Sequence, residues 1–118
     1  MRATKLQKKA ADVGFDWNDV SGALDKVTEE TAELRAAIEN KDSVNMAEEL
    51  GDILFSVVNV SRFIKVDAEE ALTVASDKFL ARFVEVEKLA KERGIDMKEA
   101  SLEELDALWD EVKIKNRI

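Results

Sequence analysis

The chain has 118 residues with no cysteine, histidine or proline and a formal net charge of −8, a length that fits one domain, residues 1–118. Disulfides, thiolate metal sites and a histidine base are therefore excluded, and any metal site must use oxygen ligands, which favours hard cations such as magnesium, manganese or calcium. The acidity argues against nucleic acid or anionic membranes as partners; no apolar run reaches the roughly 18 residues of a membrane span and residues 1–11 lack a signal peptide's apolar core, so a cytoplasmic protein is expected.

Only four glycines interrupt a sequence rich in Ala, Leu, Glu and Lys, which is a helical composition. A first short helix is expected over residues 4–12. Gly14-Phe15-Asp16-Trp17-Asn18-Asp19 reads as a loop, with Asp19 or Asn18 capping a second helix over 20–39. Asn40-Lys41-Asp42 forms the turn into a third helix over 44–64. Asp67 with Glu70 caps a long fourth helix that ends near Gly94, and Ser101 with Glu104 opens a last one through Trp109. The fold class is all-α, helical hairpins in a bundle.

Helical spacing sorts the carboxylates. In the second helix Val20, Leu24, Val27, Leu34 and Ile38 form one stripe; Glu30 falls at its edge, Glu33 and Lys26 on the same flank, and Glu29 points away. The third helix is apolar nearly all round, through Met46, Leu50, Ile53, Leu54, Phe55, Val57, Val58, Val60, Phe63 and Ile64. In so short a chain this predicts cover from a second subunit. One polar strip survives along it: Glu49, Asp52, Ser56 and Asn59.

Like charges about 4 Å apart repel by roughly 1 kcal/mol in water and about 4 kcal/mol at an effective dielectric near 20. If Glu30/Glu33 and Glu49/Asp52 face each other on adjacent helices, a dication removes that repulsion. The same pairs could instead be solvated, or bridged by Lys26 and Lys41. On the fourth helix Lys78 and Arg82 share a face suited to phosphate or to plain solvent. Trp17 and Trp109 are the only tryptophans, fit for stacking on a base or for the core.

An ordered set of segments resembles the catalytic domain of MazG-type nucleotide pyrophosphohydrolases. Lys26-Val27-Thr28-Glu29-Glu30-Thr31-Ala32-Glu33-Leu34 and Glu48-Glu49-Leu50-Gly51-Asp52 carry its EExxE and ExxD signatures. Val13-Gly14-Phe15-Asp16-Trp17, Val58-Asn59-Val60-Ser61-Arg62-Phe63, Glu70-Ala71-Leu72, Lys78-Phe79, Arg82-Phe83 and Leu108-Trp109 follow in family order. The resemblance implies a helical-hairpin fold completed as a homodimer or dimer of dimers. It implies magnesium-dependent hydrolysis of nucleoside triphosphates to monophosphate and pyrophosphate through a metal-activated water, with Mn²⁺ as a possible substitute. It assigns Glu30, Glu33, Glu49 and Asp52 to the metal and to catalysis, Lys26, Lys78 and Arg82 to the phosphates, and Trp109 to the nucleoside. Asn45, Ser76 and Ala81 depart from the family, which often has Lys, Asn and Arg near these places. Two other readings stay open: a non-catalytic acidic interaction module, and a narrower relative acting on dUTP or phosphoribosyl-ATP.

Overall fold

A computed structural model describes residues 1–115 of the chain. Among them are five helices and no strand: α1 (Arg2–Asp12), α2 (Val20–Glu39), α3 (Ser43–Phe63), α4 (Ala68–Glu92) and α5 (Leu102–Lys115). No helix among these residues is long and apolar enough to cross a membrane.

Local chemistry accounts for most of the helix ends. Asp19, not Asn18, caps α2: its carboxylate accepts from the Ser21 amide at 2.8 Å. Asp42 belongs to the start of α3 and not only to the turn, because it accepts from the Asn45 amide at 3.2 Å. Asp67 does the same for Glu70 at 3.0 Å, and Ser101 for Glu104 at 3.2 Å. The last helix runs beyond Trp109, because Leu108 and Val112 are i,i+4 neighbours on one buried face and extend the amphipathic pattern. Gly14 (φ +86°) and Gly94 (φ +67°) follow the ends of α1 and α4, where a left-handed residue lets the next amide bond back to a late carbonyl. Lys41 (φ 54°) and Lys65 (φ 59°) occupy the equivalent place after α2 and α3.

The chain forms two compact units, Met1–Ala71 and a second from Leu72 on. In the first, α2 and α3 pack along each other as a hairpin, and α1 lies on α3. Gln7 of α1 donates to the Phe55 carbonyl of α3 at 2.8 Å. Arg62 of α3 donates to Asp16 at 2.6 Å, and Asp16 also accepts from the Trp17 amide at 2.9 Å. Arg62 thereby ties the loop to α3 and holds the Asp16 carboxyl below its ordinary value. The Trp17 indole lies close against α2 at Gly22, where a Cβ would stand 2.9 Å from Trp17 Cε3.

The face that α2 buries differs from the expected stripe. Its buried residues are Ala23, Glu30 and Ala37, spaced by seven, whereas Leu24 and Ile38 stay exposed. The two alanines let α3 approach closely, and Glu30 sits midway between them. The second unit is built conventionally: Val86 and Ala90 of α4 pack with Leu108 and Val112 of α5, with Leu89, Ile95, Met97, Leu105 and Trp109 around them. Arg93 and Glu111 join these helices through two hydrogen bonds of 2.6 and 2.9 Å, which raise the arginine pKa and lower that of the carboxyl.

Candidate metal centre

The alanine-flanked position of Glu30 turns its carboxylate toward α3, where the one-turn spacing of Glu49 and Asp52 presents two more. One oxygen from each of Glu30, Glu49 and Asp52 lies within 4.8 Å of the others. Glu30 is 5% exposed, Glu49 half-buried and Asp52 exposed. Glu33 joins from the next turn of α2, close enough to Glu49 to raise the latter's pKa. Glu29, assigned to the surface by its direction, is indeed exposed, yet it also clusters with Glu30 and Glu33.

The electrostatics of the cluster are unbalanced. Lys26 Nζ lies 3.1 Å from Glu30 Oε1 and 3.2 Å from Glu29 Oε1. Lys26 is the main cause that holds the Glu30 carboxyl below its ordinary value. Glu49 has no such cation: Glu30 first, then burial and Glu33, push its carboxyl up to about 7. Oε2 of Glu30 and Oε2 of Glu49 are both buried without a hydrogen-bond partner. A buried carboxylate oxygen with no donor is costly, and a divalent cation satisfies several at once. The donor set, all oxygen with no nitrogen or sulfur, suits magnesium or manganese.

Residues 18–88 match the MazG nucleotide pyrophosphohydrolase domain, and this segment holds Glu30, Glu33, Glu49 and Asp52. The chain belongs to the MazG family. Its MazG sequence is 44% identical over 111 residues to the nucleoside triphosphate pyrophosphohydrolase/pyrophosphatase MazG of Thermotoga maritima, covering 94% of this chain and 42% of that protein. It is 43% identical over 117 residues to the nucleoside triphosphate pyrophosphohydrolase of Escherichia coli K12, covering 96% and 44%. The chain thus spans less than half the length of these curated relatives.

Lys78, Arg82 and Trp109 belong to the second unit of the chain. Lys78 is exposed and Arg82 half-buried on α4. Trp109 is half-buried, its ring 5.3 Å from that of Phe79, which stacks on Phe83 at 6.1 Å. Sequence reading missed Gln7, which is 6% exposed and has a buried, unpartnered Oε1. A signal for it existed: Ala3, Ala10 and Ala11 stand at i−4, i+3 and i+4 from Gln7, a small-residue face on which one amide is set.

Proposed function

We propose that this MazG chain hydrolyses nucleoside triphosphates to nucleoside monophosphate and pyrophosphate, with magnesium held by Glu30, Glu33, Glu49 and Asp52. The observation that carries this reading is the pair of buried, partnerless oxygens on Glu30 and Glu49, set in the segment that matches the pyrophosphohydrolase domain. Bound there, the cation would offset the repulsion among the carboxylates, counter charge on the triphosphate and acidify the attacking water. In this reading water attacks the α-phosphorus, the bond to the bridging oxygen breaks and pyrophosphate leaves. With no histidine in the chain, the water's proton passes to a carboxylate of the cluster. Lys26 Nζ, now on Glu29 and Glu30, turns to the phosphates; Lys78 and Arg82 neutralise further charge there, and Trp109 contacts the nucleotide.

The same reading makes the active species a homodimer or a dimer of dimers, in the cytoplasm. Its support is the apolar side of α3, where Leu50, Leu54 and Val57, one helical turn apart, remain about half exposed. Light scattering on the purified protein tests the assembly: a monomer at micromolar concentration rules it out. The reaction is tested by measuring pyrophosphate release from a panel of triphosphates, with dUTP and phosphoribosyl-ATP included, in Mg²⁺, Mn²⁺ and EDTA. Turnover that survives EDTA, or release of inorganic phosphate alone, overturns the reading. Turnover confined to dUTP or phosphoribosyl-ATP narrows it to that substrate.

A further inference from the structure

Among the described residues, Lys26 is the one cation in an ion pair with the carboxylate cluster. Its Nζ holds Glu30 Oε1 at 3.1 Å and Glu29 Oε1 at 3.2 Å, and Glu30 Oε2 stays buried without a partner. The pair with Glu30 owes little to the helix itself. A lysine four residues before a glutamate is the weaker of the two orientations, because each charge then opposes the helix dipole. What favours the pair is its setting: the Glu30 side chain is buried, whereas that of Glu29 is open to solvent. A buried carboxylate needs a counter-charge, and the Lys26 ammonium is the one within reach.

The same carboxylate belongs to the set that would hold magnesium, with an oxygen of Glu49 and one of Asp52 within 4.8 Å of its own. An ammonium and a dication on one carboxylate are like charges at close range, and they repel. Lys26 has somewhere else to go. Glu29 is i,i+3 from it, on the solvent side and already in contact. Lys26 can therefore leave Glu30 by rotamer changes in its own flexible stem, with α2 unmoved. Released from Glu30, its ammonium is a donor at the edge of the cluster, where the enzyme reading puts the phosphates.

Resting on the pyrophosphohydrolase reading, we infer that Lys26 is the counter-cation of the metal-free centre, exchanged from Glu30 to the substrate's phosphates as the centre loads, so that dication and triphosphate each favour the other's binding. Lys26 on Glu30 competes with the dication for that carboxylate. Lys26 held by phosphates no longer competes, so the triphosphate tightens the dication. By linkage the dication tightens the triphosphate by the same factor, because it frees the ammonium that the phosphates use. If Lys26 occupies Glu30 about nine-tenths of the time, the competition weakens the dication about tenfold. The empty centre is thereby kept partly neutralised, and metal and substrate are taken up together.

Two measurements test the inference. In the first, Mn²⁺ binding to the metal-free protein is followed by the EPR signal of free Mn²⁺. Lys26→Met keeps most of the side chain's length and removes its charge. It should bind Mn²⁺ about tenfold tighter than the wild type, and the tightening of Mn²⁺ by an α,β-methylene nucleoside triphosphate should shrink by about the same factor. Equal or weaker Mn²⁺ binding makes Lys26 a support for the ligands or for the helix and overturns the inference. The second measurement uses the wild type labelled with ¹³C at lysine Cε, so it stands even if Lys26→Met does not fold; Lys26→Arg assigns the Lys26 signal. Its two Cε protons should be inequivalent in the metal-free protein, merge on saturation with Mg²⁺ and separate again when the triphosphate analogue is added. Protons equivalent before Mg²⁺, still inequivalent after it, or indifferent to the analogue overturn the inference. Failure of the enzyme reading is distinct: no pyrophosphate is released from any triphosphate, while Mn²⁺ still binds and still exchanges with Lys26. Absence of Mn²⁺ binding in both proteins overturns the metal centre and the inference together.

Discussion

The two units of the chain bury opposite kinds of residue. In Met1–Ala71 the buried positions are Gln7, Ala23, Glu30, Ala37 and Ser56; among the described residues from Leu72 on they are Val86, Ala90, Leu108 and Val112. The second set is an ordinary hydrophobic core that stabilises in proportion to the apolar area it removes from water. The first sets a carboxylate and an amide between small residues, where they cost stability unless something pairs with them. The difference teaches where function is to be sought. The helix pair brings Glu30 against Glu49 without a donor for either Oε2, and this is the place where the proposed metal would be held.

The sharpest way to break this contrast is to remove a carboxylate from the first unit. Glu49→Gln and Asp52→Asn are expected to lower pyrophosphate release by about 10²-fold or more, since even outer-shell partners of a metal cost about 10–100-fold. The metal-free melting temperature should stay level or rise, because repulsion in the cluster is relieved. Loss of fold with loss of activity would make the cluster structural, and retained turnover would leave the acidic strip as an interaction surface. The matching change in the second unit is Leu108→Ala. Leu108 is 2% exposed in the core, and its truncation should cost about 2–5 kcal/mol in denaturant unfolding.

In this picture the metal acts on the first unit, and so does the titration of Glu49. At a hundredfold excess over its dissociation constant, Mg²⁺ should stabilise the protein by about 2.7 kcal/mol, read as a rise in melting temperature that Asp52→Asn abolishes. Without metal, the Glu49 carboxyl is raised from 4.5 to about 7 in the folded state. The folded protein then binds the proton more tightly than the unfolded chain, so stability declines as pH rises from about 4.5 through about 7 and levels off above. Glu30, shifted downward, contributes in the opposite sense, with stability lost only as pH falls below its ordinary range. Melting temperatures in EDTA between pH 5 and 8 should therefore fall, and saturating Mg²⁺ should flatten the profile. A flat profile in EDTA would contradict the arrangement of Glu30 and Glu49. The smallest effect is expected at Lys65, a non-glycine residue at φ 59° just after α3: Lys65→Gly should stabilise by at most about 1 kcal/mol in denaturant unfolding.

Local chemistry was legible in the sequence. The number and order of helices, the capping roles of Asp67 and Ser101, and the grouping of Glu30 with Glu33 and of Glu49 with Asp52 all follow from spacing and from side chains acting within a turn or two, whereas the structure decided for Asp19 over Asn18 as the cap of α2. The order of the motifs also sufficed for the MazG resemblance, which the match over residues 18–88 then established. What periodicity got wrong was the face of α2. It favoured the Leu24 and Ile38 stripe, but α3 packs on Ala23, Glu30 and Ala37.

The reason is that period and hydrophobicity say which residues share a side of a helix, not which neighbour covers that side or how near it comes. Small residues at 23 and 37 set the approach of α3, and only that approach brings Glu30 to Glu49 and pushes the latter's pKa to about 7. Likewise nothing in the local sequence marks Gln7 Oε1 as unpartnered. That follows from the packing of α1 on α3, which takes the amide's nitrogen for the Phe55 carbonyl and leaves its oxygen without a donor. The sequence by itself determined the helices and the chemical groups each one carries. The tertiary structure decided which groups meet, because that depends on contacts between residues far apart in the chain.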